Sequence, residues 1–303
     1  MAPFCAPALR APALPRRRYN PLSMKIHTLT IVGVGLIGGS IGLAAKKRGL
    51  ARRVLGVGRN KDSLERAKNL GAIDAWFLDL IPAVHDAELV VFCTPVDQIA
   101  DQVQAAAPAC ANGALLTDAG STKGQIIKAI EGRLPAGVVF VGSHPLAGSE
   151  KRGPEHAEAD LFQDRLTVIS PTARTDPAAI ERIKSFWQAL GSRVRLMSPE
   201  DHDRALALTS HLPHLVACAL AGILPPELAE LTASGFRDTT RIAAGDPGLW
   251  KAICEHNRDA ILVALSLLTD HLDQFRHVLA AGDWSQLDSL LIQSKKVRDA
   301  LGS

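Results

Sequence analysis

The chain has 303 residues and a mass of 32.3 kDa, which at ~150 residues per domain is enough for two domains. Its 47% hydrophobic and 21% charged residues exclude wholesale disorder. The formal charge of +3 owes everything to Arg10, Arg16, Arg17 and Arg18, so residues 25–303 hold 30 Lys+Arg against 31 Asp+Glu. That balance excludes a basic nucleic-acid-binding body.

Residues 1–24 are rich in Ala, Pro and Arg but lack the apolar stretch of about 7–15 residues that a secretory signal needs. Pro3, Pro7, Pro12, Pro15 and Pro21 interrupt the segment too often for an amphipathic targeting helix. It reads as a disordered Pro/Arg-rich tail, or as a start site placed too early with Met24 the working start. From residue 25, strands and helices alternate. Thr28–Val32, Val54–Val57, Glu88–Cys93, Ala114–Thr117 and Val138–Gly142 are short apolar strands. Between them lie helical patterns running from the first glycines to Arg48 and over Asp62–Leu70, Val96–Ala107 and Thr122–Leu134. Leu166–Ser170 and Arg193–Met197 flank a further helix, Pro177–Leu190. Such alternation predicts a Rossmann-type, doubly wound parallel sheet over residues 25–198. Residues 199–303 carry long helical periodicities (Asp203–Leu224, Leu249–Ala280, Trp284–Leu301) and predict an all-helical second domain.

Five scattered cysteines (Cys5, Cys93, Cys110, Cys218, Cys254) form no CxxC pair. They fit reduced thiols in a cytoplasmic protein better than a disulfide framework. No unbroken apolar run reaches the ~18 residues needed to cross a bilayer, so neither a membrane nor a nucleic acid is expected as a partner.

The first chemical signal is Gly33-Val34-Gly35-Leu36-Ile37-Gly38, which follows a strand and opens a helix. Gly33 permits the tight turn, Gly35 lets backbone approach a pyrophosphate, and Gly38 allows close helix–strand packing. The free N–H groups around Leu36 and Ile37 then face the phosphates at the positive end of the helix. Thr94, just past the strand ending at Cys93, is assigned to the same cofactor site. At the end of the second strand, where an NAD site usually places an acid, stands Val57-Gly58-Arg59-Asn60. Arg59 there favours NADP, or tolerance of both cofactors; a solvated Arg59 with NAD bound is the alternative.

Further signals stand at later strand ends, where open α/β sheets bind ligands. Asp118-Ala119-Gly120-Ser121-Thr122-Lys123 ends one strand, and Gly142 to Lys151, containing His144, Ser149 and Glu150, ends the next. A histidine fixed by a following proline can act as acceptor or general base near neutral pH. Lys123 reads as a helix-start cation with no chemical step. In the helical half, Ser210 and His214 lie at i, i+4 on one face, and Asp203, seven residues earlier, shares it. His211 and His214 lack a further ligand at helical spacing, so no metal is expected. Gly235 to Ala243 adds Arg237, Asp238 and Arg241 between helices.

GVGLIGGS (33–40), DAGSTK (118–123), GSHPLAGSEKRG (142–153), SHLPH (210–214) and FRDTTRIA (236–243) together resemble the prephenate/arogenate (cyclohexadienyl) dehydrogenases of tyrosine biosynthesis. They stand in family order and span nearly everything after Met24, and there is no spare length for a mutase or amino-acid-sensing domain. The resemblance implies a homodimer whose helical half forms much of the interface. It also implies NAD(P)-dependent oxidative decarboxylation, in which a cyclohexadiene loses hydride and CO2 and becomes aromatic. By resemblance, His144 accepts a hydrogen bond from the ring hydroxyl and Ser121 orients that hydroxyl and the histidine. Arg241 anchors a substrate carboxylate, His214 and Ser210 line the pocket, Ser149 and Glu150 line or gate it, and Asp238 supports the arginine loop. Asp203 sits where a carboxylate would favour the amino substrate in some relatives. The competing readings are a β-hydroxyacid-type dehydrogenase, a non-catalytic dinucleotide sensor, and a purely structural helical dimer.

Overall fold

The structure, a computed structural model, describes residues 25–148 and 151–302. The tail of residues 1–24 and the site candidates Ser149 and Glu150 lie outside the described residues. In chain order the sheet half runs β1 (Ile26–Val32), α1 (Leu36–Lys47), β2 (Ala51–Val57), α2 (Lys61–Asn69), β3 (Ala75–Phe77) and α3 (Leu80–Val84). It continues with β4 (Leu89–Phe92), α4 (Val96–Ala106), β5 (Leu115–Asp118), α5 (Gly124–Ile130), β6 (Val139–Pro145), β7 (Leu166–Ser170), α6 (Pro177–Ala189) and β8 (Arg193–Leu196). The eight strands form one sheet in the order β3-β2-β1-β4-β5-β6-β7-β8.

Strand order reverses between β1 and β4, which pair directly, and this reversal opens a crevice at the carboxyl ends of the strands. The central strands are covered on both faces. Leu29, Ile31 and Val91 belong to one buried cluster, and Val32, Val90, Phe92 and Leu116 to the other. Continuous apolar runs are what a doubly covered strand requires.

The sheet is mostly parallel, but β7 runs antiparallel to β6, contrary to the all-parallel expectation. Among the described residues between them, the one regular element is a single 3-10 turn, Pro154–His156. Without a crossover helix the chain has nothing with which to return to the starting edge, so it folds straight back. α6 does supply a crossover, and β7 and β8 pair in parallel. The three-residue β3 and the five-residue α3 are too short to announce themselves by periodicity.

Ser198 accepts a hydrogen bond from the Asp201 N–H and so caps the first helix of the helical half. That half comprises α7 (Pro199–Leu206), α8 (Leu212–Gly222), α9 (Ser234–Thr240), α10 (Pro247–His256), α11 (Arg258–Ala281) and α12 (Trp284–Ala300). The single helix expected over Leu249–Ala280 is two, broken at Asn257, whose side chain is buried in the site described below. Between α7 and α8 the chain stays helical through a π-turn, Ala207–His211. The wider turn advances the helix by less than 100° per residue, so the seven-residue spacing of Asp203 and Ser210 no longer returns to one face. His211 takes the buried position and Ser210 is only half-buried.

Pro199–Gly222 is thereby a continuous helix of 24 residues containing an 18-residue window of mean hydropathy 1.4, long and apolar enough by those measures to cross a membrane. The absence of an unbroken apolar run had not disclosed it. His202, Asp203, His211 and His214 are nevertheless all buried along it against protein.

Candidate active site

The glycine loop joins β1 to α1 at the strand-order reversal. A Cβ on Gly33 (φ +94°) would stand 2.8 Å from the Cys93 backbone, and one on Gly38 would stand 2.2 Å from the Gly33 carbonyl oxygen. At Gly35 it would meet nothing within 4 Å. The turn and the helix packing thus exclude side chains where the chain approaches itself, while the backbone before Leu36 stays approachable. No side chain caps α1 and its first turn carries no acid, so its N–H groups are available to an anion. These features fit a dinucleotide pyrophosphate. Thr94 closes the loop from β4: its methyl lies against Gly33, and its hydroxyl donates to Gln102 Oε1 at 2.6 Å. Leu36 and Ile37 lie under Gly148 of the segment after β6. Arg59 is exposed just beyond β2, where Asn60 caps α2, and no carboxylate stands between Val57 and Lys61.

One strand further, Asp118 ends β5 fully buried. It accepts N–H bonds from Gly120 and Ser143 at 2.9 Å each and pairs with the equally buried Lys123 ammonium. Burial pushes the Lys123 ammonium down, and the carboxylates of Asp118 and Asp203 work against that. Lys123 is therefore no exposed helix-start cation but an ion pair in the floor of the site. Ser143 adds to this floor, its hydroxyl donating to the Asp118 carbonyl at 2.5 Å and accepting from Trp187 Nε1 at 2.9 Å.

His144, on the adjacent strand β6, contacts His202 through Nδ1 to Nε2 at 2.9 Å. His202 Nδ1 in turn lies 2.8 Å from Asp203 Oδ1. The Asp203 carboxylate also accepts the N–H groups of Lys123 and Gly124 at 2.8 Å each. Burial works to raise the Asp203 carboxyl, and these hydrogen bonds outweigh it, leaving the group an anion. Both Asp203 carboxylate oxygens are thus engaged by His202 and the start of α5, so it is not a free carboxylate for a substrate amine, as its sequence position had suggested. His144 is held well below the ordinary histidine range, first by burial and then by His202, Lys123 and His211. It is a neutral imidazole at pH 7.

Asn257 closes the back of the cluster, donating to the Asp203 carbonyl at 2.8 Å and standing 3.1 Å from His211 Nδ1. Burial pushes His211 down to about 4. His214 turns elsewhere and stacks flat on Trp250, with ring centroids 3.5 Å apart. The 3-10 turn Arg241–Ala244 packs on α8, its Ile242 backbone bonding His214, and a Cβ on Gly245 would meet both Trp250 and His214; Arg241 opens this turn and is exposed. Arg152 pairs with Asp246 at 2.5 Å, tying the segment after β6 to the start of α10.

The structure therefore brings Gly33–Gly38, Thr94, Asp118, Ser121 and His144 to the carboxyl ends of the strands, with α7 packed on α5 and α10 on α4 beside them. Ser121 is half-buried beyond β5 and makes no hydrogen bond among the described residues; the partner of His144 is His202. Asp238 is exposed on α9 and likewise bonds to no described residue, so a supporting bond to the arginine loop is not seen. His202, Lys123 and Asn257 were missed as site residues. The available signal was His202-Asp203, a histidine beside a carboxylate at the start of a helix.

Residues 41–196 match the model of the prephenate dehydrogenase nucleotide-binding domain, and residues 198–293 match that of the prephenate dehydrogenase dimerization domain. The chain is 37% identical to the cyclohexadienyl dehydrogenase of Zymomonas mobilis over 280 residues, covering 90% of this chain and 95% of that protein. It is 34% identical to the prephenate dehydrogenase of Bacillus subtilis, covering 90% of this chain and 76% of that one. Among solved structures, prephenate dehydrogenase from Aquifex aeolicus in complex with hydroxyphenyl propionate and NAD+ superposes with a TM-score of 0.86 at 30% identity, over 92% of this chain and 99% of that chain. Synechocystis arogenate dehydrogenase superposes with a TM-score of 0.75 at 31% identity, over 90% and 99%.

Proposed function

The chain belongs to the prephenate dehydrogenase family, and from that premise we propose that it oxidatively decarboxylates prephenate, arogenate or both with NAD(P) as hydride acceptor. Bound at the glycine loop, the nicotinamide dinucleotide supplies the acceptor for the hydride leaving the hydroxyl-bearing ring carbon, while the ring carboxylate departs as CO2. His144 takes the proton of the ring hydroxyl, for which a neutral imidazole at neutral pH is required. Ser121 orients that hydroxyl from the end of β5. Arg241 anchors a substrate carboxylate with its planar fork, and His214 and Ser210 line the pocket beside it. Ser149 and Glu150 gate the pocket, and Asp238 contributes at its rim. Gly33, Gly35, Leu36, Ile37, Gly38 and Thr94 hold the dinucleotide.

Arg59 favours the phosphorylated cofactor, because no carboxylate is present at that strand end to receive a ribose hydroxyl. Residues 25–198 carry the cofactor, and residues 199–303 complete the substrate site and pair with a second copy in a homodimer. Cys93, Cys110, Cys218 and Cys254 are free thiols, which fits a cytoplasmic setting.

The observation that carries the reading is the placement of His144, 2.9 Å from His202, at the same carboxyl end of the sheet as the glycine loop. In His144→Asn, turnover should fall by ~10²–10⁴, the usual worth of a positioned acid/base group, with dinucleotide affinity unchanged. Steady-state rates alongside a fluorescence titration of the cofactor decide it, and undiminished turnover removes His144 from the chemistry.

A further inference from the structure

His144 has two ring nitrogens, and only an unprotonated one can receive a substrate proton. Which nitrogen is bare depends on what the other one bonds. The chain of contacts behind His144 answers this from its far end. The Asp203 carboxylate accepts the Lys123 and Gly124 N–H groups at 2.8 Å each and carries no proton to give. The 2.8 Å contact to His202 therefore has His202 Nδ1 as donor. Neutral His202 is then bare at Nε2, so the 2.9 Å contact to His144 has His144 Nδ1 as donor. His144 is left bare at Nε2.

Resting on the proposed function, we infer that His202 and Asp203 are positioning residues for the reaction: they hold His144 in the Nδ1–H tautomer and leave Nε2 as the proton acceptor. His202 is fully buried and has no exposed role to explain it. The charges around the pair are Asp118, Lys123 and Asp203, two negative and one positive, with the neutral His211 on the same helical stretch. When Nε2 takes the substrate proton, the imidazolium faces a cluster that carries one net negative charge. The Nδ1–H bond can then lean toward His202, itself bonded to the Asp203 carboxylate. Asp203 thus acts through His202 and touches no substrate.

The test uses two variants with opposite defects. His202→Gln can place an amide oxygen near the position of Nε2 and still accept from His144. His202→Asn keeps a donor toward Asp203 but leaves His144 Nδ1 without its acceptor. Long-range 1H–15N spectra of histidine-labelled full-length protein report the tautomer, with the His144 signals assigned by their loss in His144→Asn. Wild type and His202→Gln should show Nδ1–H, and His202→Asn should lose the fixed tautomer. kcat should fall about 10- to 100-fold in His202→Asn at nearly unchanged KM, with most of it restored in His202→Gln. An Nε2–H tautomer in the wild type, or wild-type kcat in His202→Asn, overturns the inference. Equal loss in both variants with KM rising alike makes His202 merely structural and also overturns it. If neither variant folds, the wild-type spectrum alone decides. The spectrum needs no substrate, so failure to turn over prephenate or arogenate would overturn the functional reading without deciding this one.

Discussion

In the sheet half, side chains from β1, β4 and β5 are covered by helices on both faces, and two large apolar clusters result. Among the described residues of the helical half, Ala207, Ile261 and Ala264 form a small buried cluster of their own, while Ile223 is 76% exposed, Trp284 66% and Val263 63%. The two halves have comparable apolar content but opposite needs. The core of the sheet half draws in Ala252 and Ile253 of α10, whereas the helical half exposes many large apolar side chains, the kind of surface that interfaces use. Its match to a dimerization domain accords with that. His202, Asp203, Leu206, Ala207, His211 and His214 are buried along α7, the π-turn and the start of α8, where Asp203 bonds the start of α5, and α10 meets the sheet half through Ala252 and Ile253. One face of the helical stretch from α7 to α8 is thus buried at the candidate site, while Leu208 on the same stretch stays exposed.

The strongest way to break this contrast is to charge the apolar face. Val263→Asp with Leu267→Asp, one turn apart on α11, should raise the dimer dissociation constant by at least ~10³-fold, since an unpaired charge buried at an interface costs several kcal/mol. Sedimentation velocity reads this, and an intact dimer would show that the face is not the interface. The same pair of substitutions should leave dinucleotide binding unchanged, because neither residue belongs to the two clusters that close the sheet half.

A smaller effect should appear at the seam between the halves. His144, His202 and His211 are all held below their usual values, chiefly by burial. The unfolded chain thus binds protons between pH 6.5 and the lower folded values that the folded chain refuses, so stability falls as pH drops through that window. His211 alone, pushed down to about 4, should contribute a loss of roughly 3 kcal/mol on acidification to pH 4. Urea midpoints measured across that range should decline steeply in the wild type and less in His211→Asn. A flat profile would mean that these imidazoles are not buried neutral.

The smallest effect belongs to Arg59 at the exposed rim of the sheet half. Arg59→Ala should weaken NADP about tenfold, the worth of one exposed charge-assisted phosphate contact, and leave NAD unaltered. Equal losses for both cofactors would assign Arg59 no part in the choice.

How much of this was legible depended on how local each feature is. The glycine loop is contained in a strand, a turn and a helix start within a dozen residues, so its geometry could be read from spacing alone. Asp118, Ser121 and His144 were legible as strand-end residues for the same reason. The cluster behind His144 was not, because Lys123 and Asp203 meet across 80 positions of sequence. Asp203 alone looks like any helix charge until its carboxylate is found bonding the start of α5. The π-turn at Ala207–His211 moved Ser210 off the face that ordinary helical periodicity assigns it. The reversal of β7 was equally hidden, since apolar alternation marks a strand but carries no direction.

The central claim is that this chain is a prephenate/arogenate dehydrogenase. It is tested most directly by assaying the purified full-length protein with each substrate crossed with NAD and NADP, following reduced nicotinamide and CO2 together. Equimolar formation of both with at least one substrate, faster with NADP, is the expected result. Cofactor binding without turnover of either substrate would contradict the account.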